Sequence, residues 1–227
     1  MPFPYYVSPE QMMQDKAEYA QKGIAKGRSI IVLEYQDGIL FFADNPSLSL
    51  NKISEVYDRI AFAGAGKYSE FESLRKAGIR HADLKGYAYS REDVTAKSLA
   101  NAYSQTLGTI FSQEIKPLEV EILVAEIQDN PETNEIYRIL YDGNISDEKG
   151  YTVIGGRADA IKIFLKERYR SNMPLKEALK LSIEALESVV NMKLPMENME
   201  VAVLDRNKNG RKFKRLGIDE LTVLITN

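Results

Sequence analysis

GRSIIVLEYQDGILFFADNPS, residues 27–47, is the stretch that decides how this chain folds. Two apolar runs, residues 29–35 and 39–43, flank Gln36-Asp37-Gly38, and an Asp-Gly pair between such runs is a strong β-hairpin signal. Both runs are apolar at nearly every position instead of alternating, so both faces of the hairpin should be covered by other layers. A helix should stand in front of it. Ser8-Pro9-Glu10-Gln11 has an N-cap serine, proline at the first helical position and glutamine three residues after the cap, which is the pattern of a capping box. Met13, Ala17, Ala20 and Ile24 follow as one narrow apolar stripe, and Gly23 and Gly27 read as the fraying end. So weak a stripe belongs on a surface, either of its own domain or of a neighbour.

Working outward, the 227 residues suffice for one domain with a large core. The chain is 44% hydrophobic and 28% charged with a formal net charge of −3, so nothing points to nucleic acid or to an anionic membrane surface as partner. It contains no cysteine, which excludes thiol catalysis, disulfides and cysteine metal sites. No apolar run approaches the roughly 20 residues that span a bilayer, and the first residues lack the basic start and apolar core of a signal peptide. These features lead us to expect a soluble, cytoplasmic, single-domain protein without a cofactor.

Residues 53–56 and 60–65 read as two more strands, and residues 67–84 and 94–111 as a pair of helices. Residues 119–127 and 136–141 return to strand, Asp142-Gly143-Asn144 supplies a turn, and residues 151–154 form a short strand leading into Gly155-Gly156. Helices over residues 158–169 and 175–191 follow, then a hairpin of residues 201–205 and 212–216 and a short helix over 218–224. Strands arrive in hairpins and helices in pairs. This order predicts an α+β protein with two sheets face to face and a helix pair on each outer side.

Most chemically suggestive motifs have a structural explanation. His81 is the sole histidine, and one imidazole without cysteine cannot build a usual zinc site; it reads as structural or solvated. Asp205 to Gly210, DRNKNG, imitates the start of a calcium loop, but the twelfth position is Leu216 where a bidentate carboxylate is required. It reads as a hairpin turn that uses asparagine and glycine for positive φ. GAGKYSEF and IGGRADA, beginning at Gly64 and Ile154, lack phosphate-loop or dinucleotide spacing and read as close-packing glycines. A lysine such as Lys52 is ordinarily a solvated strand edge, and Asp44 an ordinary strand-end carboxylate.

Taken together, GRSIIVLEYQDGILFFADNPS, KISEVYDRIAFAGAGKYSEF and GYTVIGGRADAIKIFLKERY resemble, in order, the first hairpin, the next strand pair with its helix, and the later strand–glycine–helix unit of proteasome subunits. The resemblance runs over essentially the whole chain. It implies the N-terminal nucleophile hydrolase fold, a four-layer αββα sandwich over residues 29–227, with an extra N-terminal helix over 9–26 and a gate segment over 1–8. Catalytic subunits of that family expose a threonine at the head of the first strand, whose free α-amino group, of pKa about 7.7–8.0, serves as base. Here the nucleophile position falls on Arg28, while Asp44 and Lys52 match the family's aspartate and lysine. Twenty-seven residues precede Arg28, so its nitrogen is a non-basic amide. The resemblance therefore implies a subunit without catalytic residues.

VSPEQ and EYAQKGIAKG are similar to the helix that begins α-type subunits, FSPxG and EYAxxAxxKG, with Gln11 in place of the usual glycine. The short MPFPYY ahead of Ser8 resembles the bacterial, chiefly actinobacterial, form. The α-type resemblance implies seven-membered rings of identical subunits stacked on β-type subunits. It implies a pore gate, here Pro2, Phe3, Pro4, Tyr5, Tyr6, Ser8 and Pro9, and docking of ring-shaped ATPase activators by their C-terminal tails. Lys52 would receive the tail carboxylate, with Lys67 a weaker candidate. Two other readings stay open: a hydrolase trimmed to expose Ser29 as nucleophile with Asp44 and Lys52 in support, and a scaffold that shares only the fold.

Overall fold

The hairpin forms where Asp37-Gly38 places it, between β1 (Ile30–Tyr35) and β2 (Gly38–Asp44), in a register that pairs Ile30 with Ala43 and Leu33 with Leu40. Every residue of β2 is buried, as a strand apolar on both faces requires. The structure is a computed structural model that describes residues 8–226. Of the expected gate residues, Pro2, Phe3, Pro4, Tyr5 and Tyr6 lie outside the described residues; Ser8 and Pro9 lie within them.

The hairpin is the centre of one antiparallel sheet. β9 (Met199–Asp205) and β10 (Phe213–Arg215) extend it beyond β2, and β8 (Tyr151–Ile154) beyond β1, giving the order β10-β9-β2-β1-β8. The second sheet runs in chain order through β3 (Ile53–Tyr57), β4 (Ile60–Gly66), β5 (Val120–Glu126), β6 (Glu135–Ile139) and β7 (Ile145–Glu148). Helices α2 (Tyr68–Ala88) and α3 (Ala96–Gln113) bury Phe71, Leu74, Leu99 and Leu107 against the second sheet. Helices α4 (Ala158–Arg168) and α5 (Leu175–Val190) bury Ile161, Leu165, Leu179 and Leu186 against the first, and α6 (Ile218–Thr226) packs beside α5. A third apolar layer, with Ile30, Phe41, Ala63, Leu123 and Ala202, joins the two sheets. The α+β αββα sandwich expected from the sequence is the observed architecture.

Three local features differ from the sequence-based reading. β7 was not anticipated, because Ile145, Ser146 and Asp147 are exposed and carry no apolar alternation. It forms because β6 offers it an open edge, pairing Ile139 with Ile145 and Ile136 with Glu148. The chain then turns at Gly150, φ 75°, into β8 of the other sheet. In the calcium-loop look-alike only Gly210 takes positive φ, 73°. Asn207 instead donates from its backbone to Asp205 and from its amide to Asp37, at 2.9 and 3.0 Å, and the Lys212 ammonium donates to the Arg206 and Lys208 carbonyls. A lysine occupies the concave side of that turn.

The third difference concerns α1 (Pro9–Ala25). Ser8 Oγ accepts from the Gln11 N–H at 3.2 Å as expected, but the Gln11 amide donates onward to Asp15 at 2.7 Å, so the reciprocal arm of a capping box is replaced by an i,i+4 bond. The stripe works as a surface contact: Ala20 and Ile24 are buried against Tyr141 and Phe111, and the Lys16 ammonium donates to the Phe111 carbonyl at 3.1 Å. Gly23 does not mark fraying. A Cβ there would lie 2.3 Å from Glu119 Oε1, so its smallness lets the helix lie close.

β5 also caps α3. Glu126 Oε2 accepts from the Ala96 N–H at 2.7 Å, and Glu126 sits across from Glu135, near Arg59. Burial pushes its carboxyl above the usual range, Glu135 adds to this, and the Ala96 bond and Arg59 oppose it. A raised folded-state pKa means the group's stabilising contribution is complete below the unfolded value, near ~4.3, and is lost as pH rises through the folded value. Glu126→Gln, which keeps an acceptor for Ala96, is therefore expected to raise stability at neutral pH relative to the parent. The difference should vanish in urea titrations run below pH ~4.

Candidate functional site

The head of β1 and the end of β2 lie side by side because the hairpin register pairs Ile30 with Ala43. That brings Arg28, just ahead of β1, onto Asp44, and the guanidinium pairs with Asp44 Oδ2. Arg28 stays half-exposed, whereas Asp44 is buried and its Oδ1 has no hydrogen-bond partner among the described residues. Lys52, in the segment entering β3, stands in the field of this pair. Burial lowers the Lys52 ammonium below the usual lysine range and Arg28 acts the same way, while Glu200 and Asp44 oppose both. The two carboxylates are already ion-paired, Asp44 with Arg28 and Glu200 with Arg215. Among the described residues, Lys52 is thus half-buried among charges without an ion-pair partner of its own.

Lys67 is placed differently. It precedes α2, and its ammonium lies 3.4 Å from Glu70, which Lys116 also engages at 2.8 Å. It shares no ion pair with the Arg28–Asp44 group. The structure brings Arg28, Asp44 and Lys52 together and leaves Lys67 engaged elsewhere.

The last turn of α1 closes onto the same place through glycines. The Gly27 carbonyl accepts from the Gly156 N–H at 2.9 Å. A Cβ on Gly27 would lie 2.8 Å from the Gly66 nitrogen, and one on Gly156 2.5 Å from the Ala25 oxygen. These contacts are backbone to backbone, so no side-chain adjustment could relieve them. Ser29 is buried in this junction and donates its hydroxyl to the Gly156 carbonyl. Beside it opens a cleft of about 450 Å³, with Lys26, Arg28 and Arg157 among its cations, Asp44 as its acid, and Val189 and Met192 on its apolar wall. Arg157 sits at φ 62° ahead of α4 and donates to the Val189 carbonyl.

Chemically, a strand-head hydroxyl next to a free amine is missing here: position 28 is arginine, and Ser29 follows it in peptide linkage with its hydroxyl committed. What the cleft and Lys52 offer is positive charge next to apolar surface, which suits a carboxylate borne on an apolar segment. Among the described residues no group of three or more His, Cys, Asp or Glu side chains could hold a metal ion, and no helix is long and apolar enough to cross a membrane. Sequence reasoning missed Arg157 and Glu200. Nothing local marks them, because Glu200 reads as one polar position of a strand and Arg157 as an ordinary helix-start residue.

Comparison with known proteins identifies the family. The family model described as proteasome subunit matches residues 24–204. The chain is 54% identical over 226 residues to a protein of Thermomonospora curvata named proteasome subunit alpha, covering 99% of this chain and 98% of that one. It is 55% identical over 230 residues to the protein of the same name in Streptomyces coelicolor, covering 99% and 91%. With the Thermobifida fusca protein of that name it shares 51% identity over 227 residues, covering 99% and 91%.

Proposed function

Because the chain belongs to the proteasome subunit family, among its α subunits, we propose that it is a non-catalytic ring subunit that gates entry to a proteolytic chamber and receives ATPase activators. The observation that carries this is Arg28: the place of an attacking threonine is held by a side chain that cannot attack, on a nitrogen that is an amide. The Arg28–Asp44 ion pair then neutralises the acid that would serve a nucleophile. Ser29, buried and donating to Gly156, gives the trimmed-hydrolase reading no support.

In this proposal the chain forms one domain and works in the cytoplasm. Identical copies form a seven-membered ring that stacks on β-type subunits. Large exposed side chains support assembly: Leu84, Tyr87 and Tyr89 cluster at the end of α2, and Met12, Tyr19 and Ile115 border the groove between α1 and the segment after α3. Exposed apolar patches of this kind are ordinarily covered by partners. Residues Pro2 to Pro9 form the pore gate, short, aromatic and proline-rich. Lys52 receives the carboxylate of an activator's C-terminal tail; Lys67, held by Glu70, takes at most a minor part.

Deleting residues 2–8 in the particle assembled with its β-type partner is expected to raise the hydrolysis of a fluorogenic peptide severalfold. An unchanged rate removes the gate assignment. A charge-assisted contact contributes about 1.5–3 kcal/mol, so Lys52→Ala should weaken ATPase docking by roughly tenfold to a hundredfold while native mass spectrometry still detects the ring. Equal docking by mutant and parent removes Lys52 from the tail site.

A further inference from the structure

We propose that Glu200 is the residue that positions Lys52 for carboxylate binding, by gathering both ends of the loop that carries Lys52 onto one buried side chain. This rests on reading Lys52 as the group that meets the tail carboxylate. Glu200 lies on β9, in the first sheet, and reaches the entry to β3, in the second. Its Oε2 accepts from the Lys52 backbone N–H at 2.9 Å and from the Asn45 side-chain amide at 2.7 Å. Its Oε1 accepts from the Ile53 N–H at 3.0 Å and from Arg215 at 2.7 Å. Arg215 in turn donates to the Ile53 carbonyl at 2.6 Å, and Asn45 to the Leu50 carbonyl at 2.6 Å. The loop between β2 and β3 is therefore tied at its beginning, Asn45, and at its end, Lys52 and Ile53, to a single carboxylate.

The count of bonds gives this clamp its second property. A carboxylate offers about four lone-pair sites, and four donors already use those of Glu200. It can attract the Lys52 ammonium through space but has no acceptor left to bind it. Lys52 is held near a negative charge and still free to meet another carboxylate. The charges acting on it are Glu200 on β9, Arg28 ahead of β1 and Asp44 on β2, with Arg215 on β10 paired to Glu200. Burial and Arg28 favour loss of the lysine proton, and Glu200 is the strongest influence against it. Taking away the charge at Glu200 therefore lets Lys52 neutralise at lower pH, and carboxylate binding is lost at lower pH with it.

The test uses the assembled particle in parent, Glu200→Gln, Glu200→Asp and Lys52→Ala forms. The Lys52 amine is followed across pH by competitive acetic anhydride labelling and peptide mass spectrometry. Binding is measured with a synthetic peptide carrying apolar side chains before a free C-terminal carboxylate, and with its C-terminally amidated twin. Glu200→Gln is expected to move the Lys52 labelling midpoint to lower pH and to weaken the free-acid peptide severalfold, with little change for the amidated one. Glu200→Asp keeps the charge, so its midpoint should stay nearer the parent's, and it carries the test if the glutamine variant does not fold. Its shorter arm cannot reach both backbone N–H groups, so peptide binding should still weaken. If Glu200→Gln, or Glu200→Asp standing in for it, leaves peptide binding unchanged while Lys52→Ala abolishes it, the role of Glu200 is overturned and the Lys52 assignment stands. If Lys52→Ala binds the free-acid peptide as well as the parent does, the Lys52 assignment fails, and the proposal for Glu200 with it.

Discussion

Truncating Phe41 to alanine is expected to cost about 3–5 kcal/mol of stability, a large share of the 5–15 kcal/mol typical of a folded domain. Phe41 is fully buried in the layer between the two sheets. The layer also holds several small residues, Ala61, Ala63, Ala65 and Ala125 from β4 and β5, and Ala202 pairs with Phe41 from β9 in its own sheet. The ring fills volume that these alanines leave open. Once it is removed, none of them can extend into the void, and two hydrogen-bonded sheets cannot collapse locally as a helix can. Phe42, one residue on, faces the α4–α5 layer, where a helix can shift. Phe42→Ala should therefore cost less than Phe41→Ala. Urea midpoints of the two variants, at unchanged m-value, check both statements; equal losses would show that the inter-sheet layer relaxes.

Replacing Glu121 by leucine is expected to cost a similar amount, about 3–5 kcal/mol, because it breaks a buried ion pair from one side. Glu121 on β5 is buried, pairs with Arg138 on β6 at 2.5 Å, and accepts from the Gly155 N–H at 3.0 Å. The last bond crosses from the second sheet to the turn that follows β8 in the first. Leucine leaves that N–H unsatisfied and Arg138 without its acid. The double replacement Glu121→Leu, Arg138→Leu should recover part of the loss, since the uncompensated cation goes too. A double mutant no more stable than Glu121→Leu alone would place the whole cost on the Gly155 bond.

Much of the fold was legible in short-range pattern. Asp37-Gly38 between unbroken apolar runs foretold the hairpin and its covering on both faces, and the first helix pair followed from apolar spacing, Phe71, Leu74 and Ile79 in one helix and Leu99, Tyr103, Leu107 and Ile110 in the other. β7 was not legible, since its residues are exposed and only the free edge of β6 makes them a strand. Gly27 does close the end of α1 as its position suggested, but the close approach that Gly23 and Gly27 allow depends on Glu119 and Gly66, distant in sequence.

The candidate site divides in the same way. Composition alone determined that this chain has no thiol and one histidine, facts of covalent chemistry, whereas the resemblance to proteasome subunits is what implies that Arg28 stands where catalytic members carry threonine. Whether Arg28 meets Asp44 and which side chain holds Lys52 in place were decided only by the tertiary structure. Those contacts join residues 16 and 148 positions apart. The partner of a charge is chosen by the packing of two sheets, and Glu200 carries no mark in its own neighbourhood that four donors will converge on it.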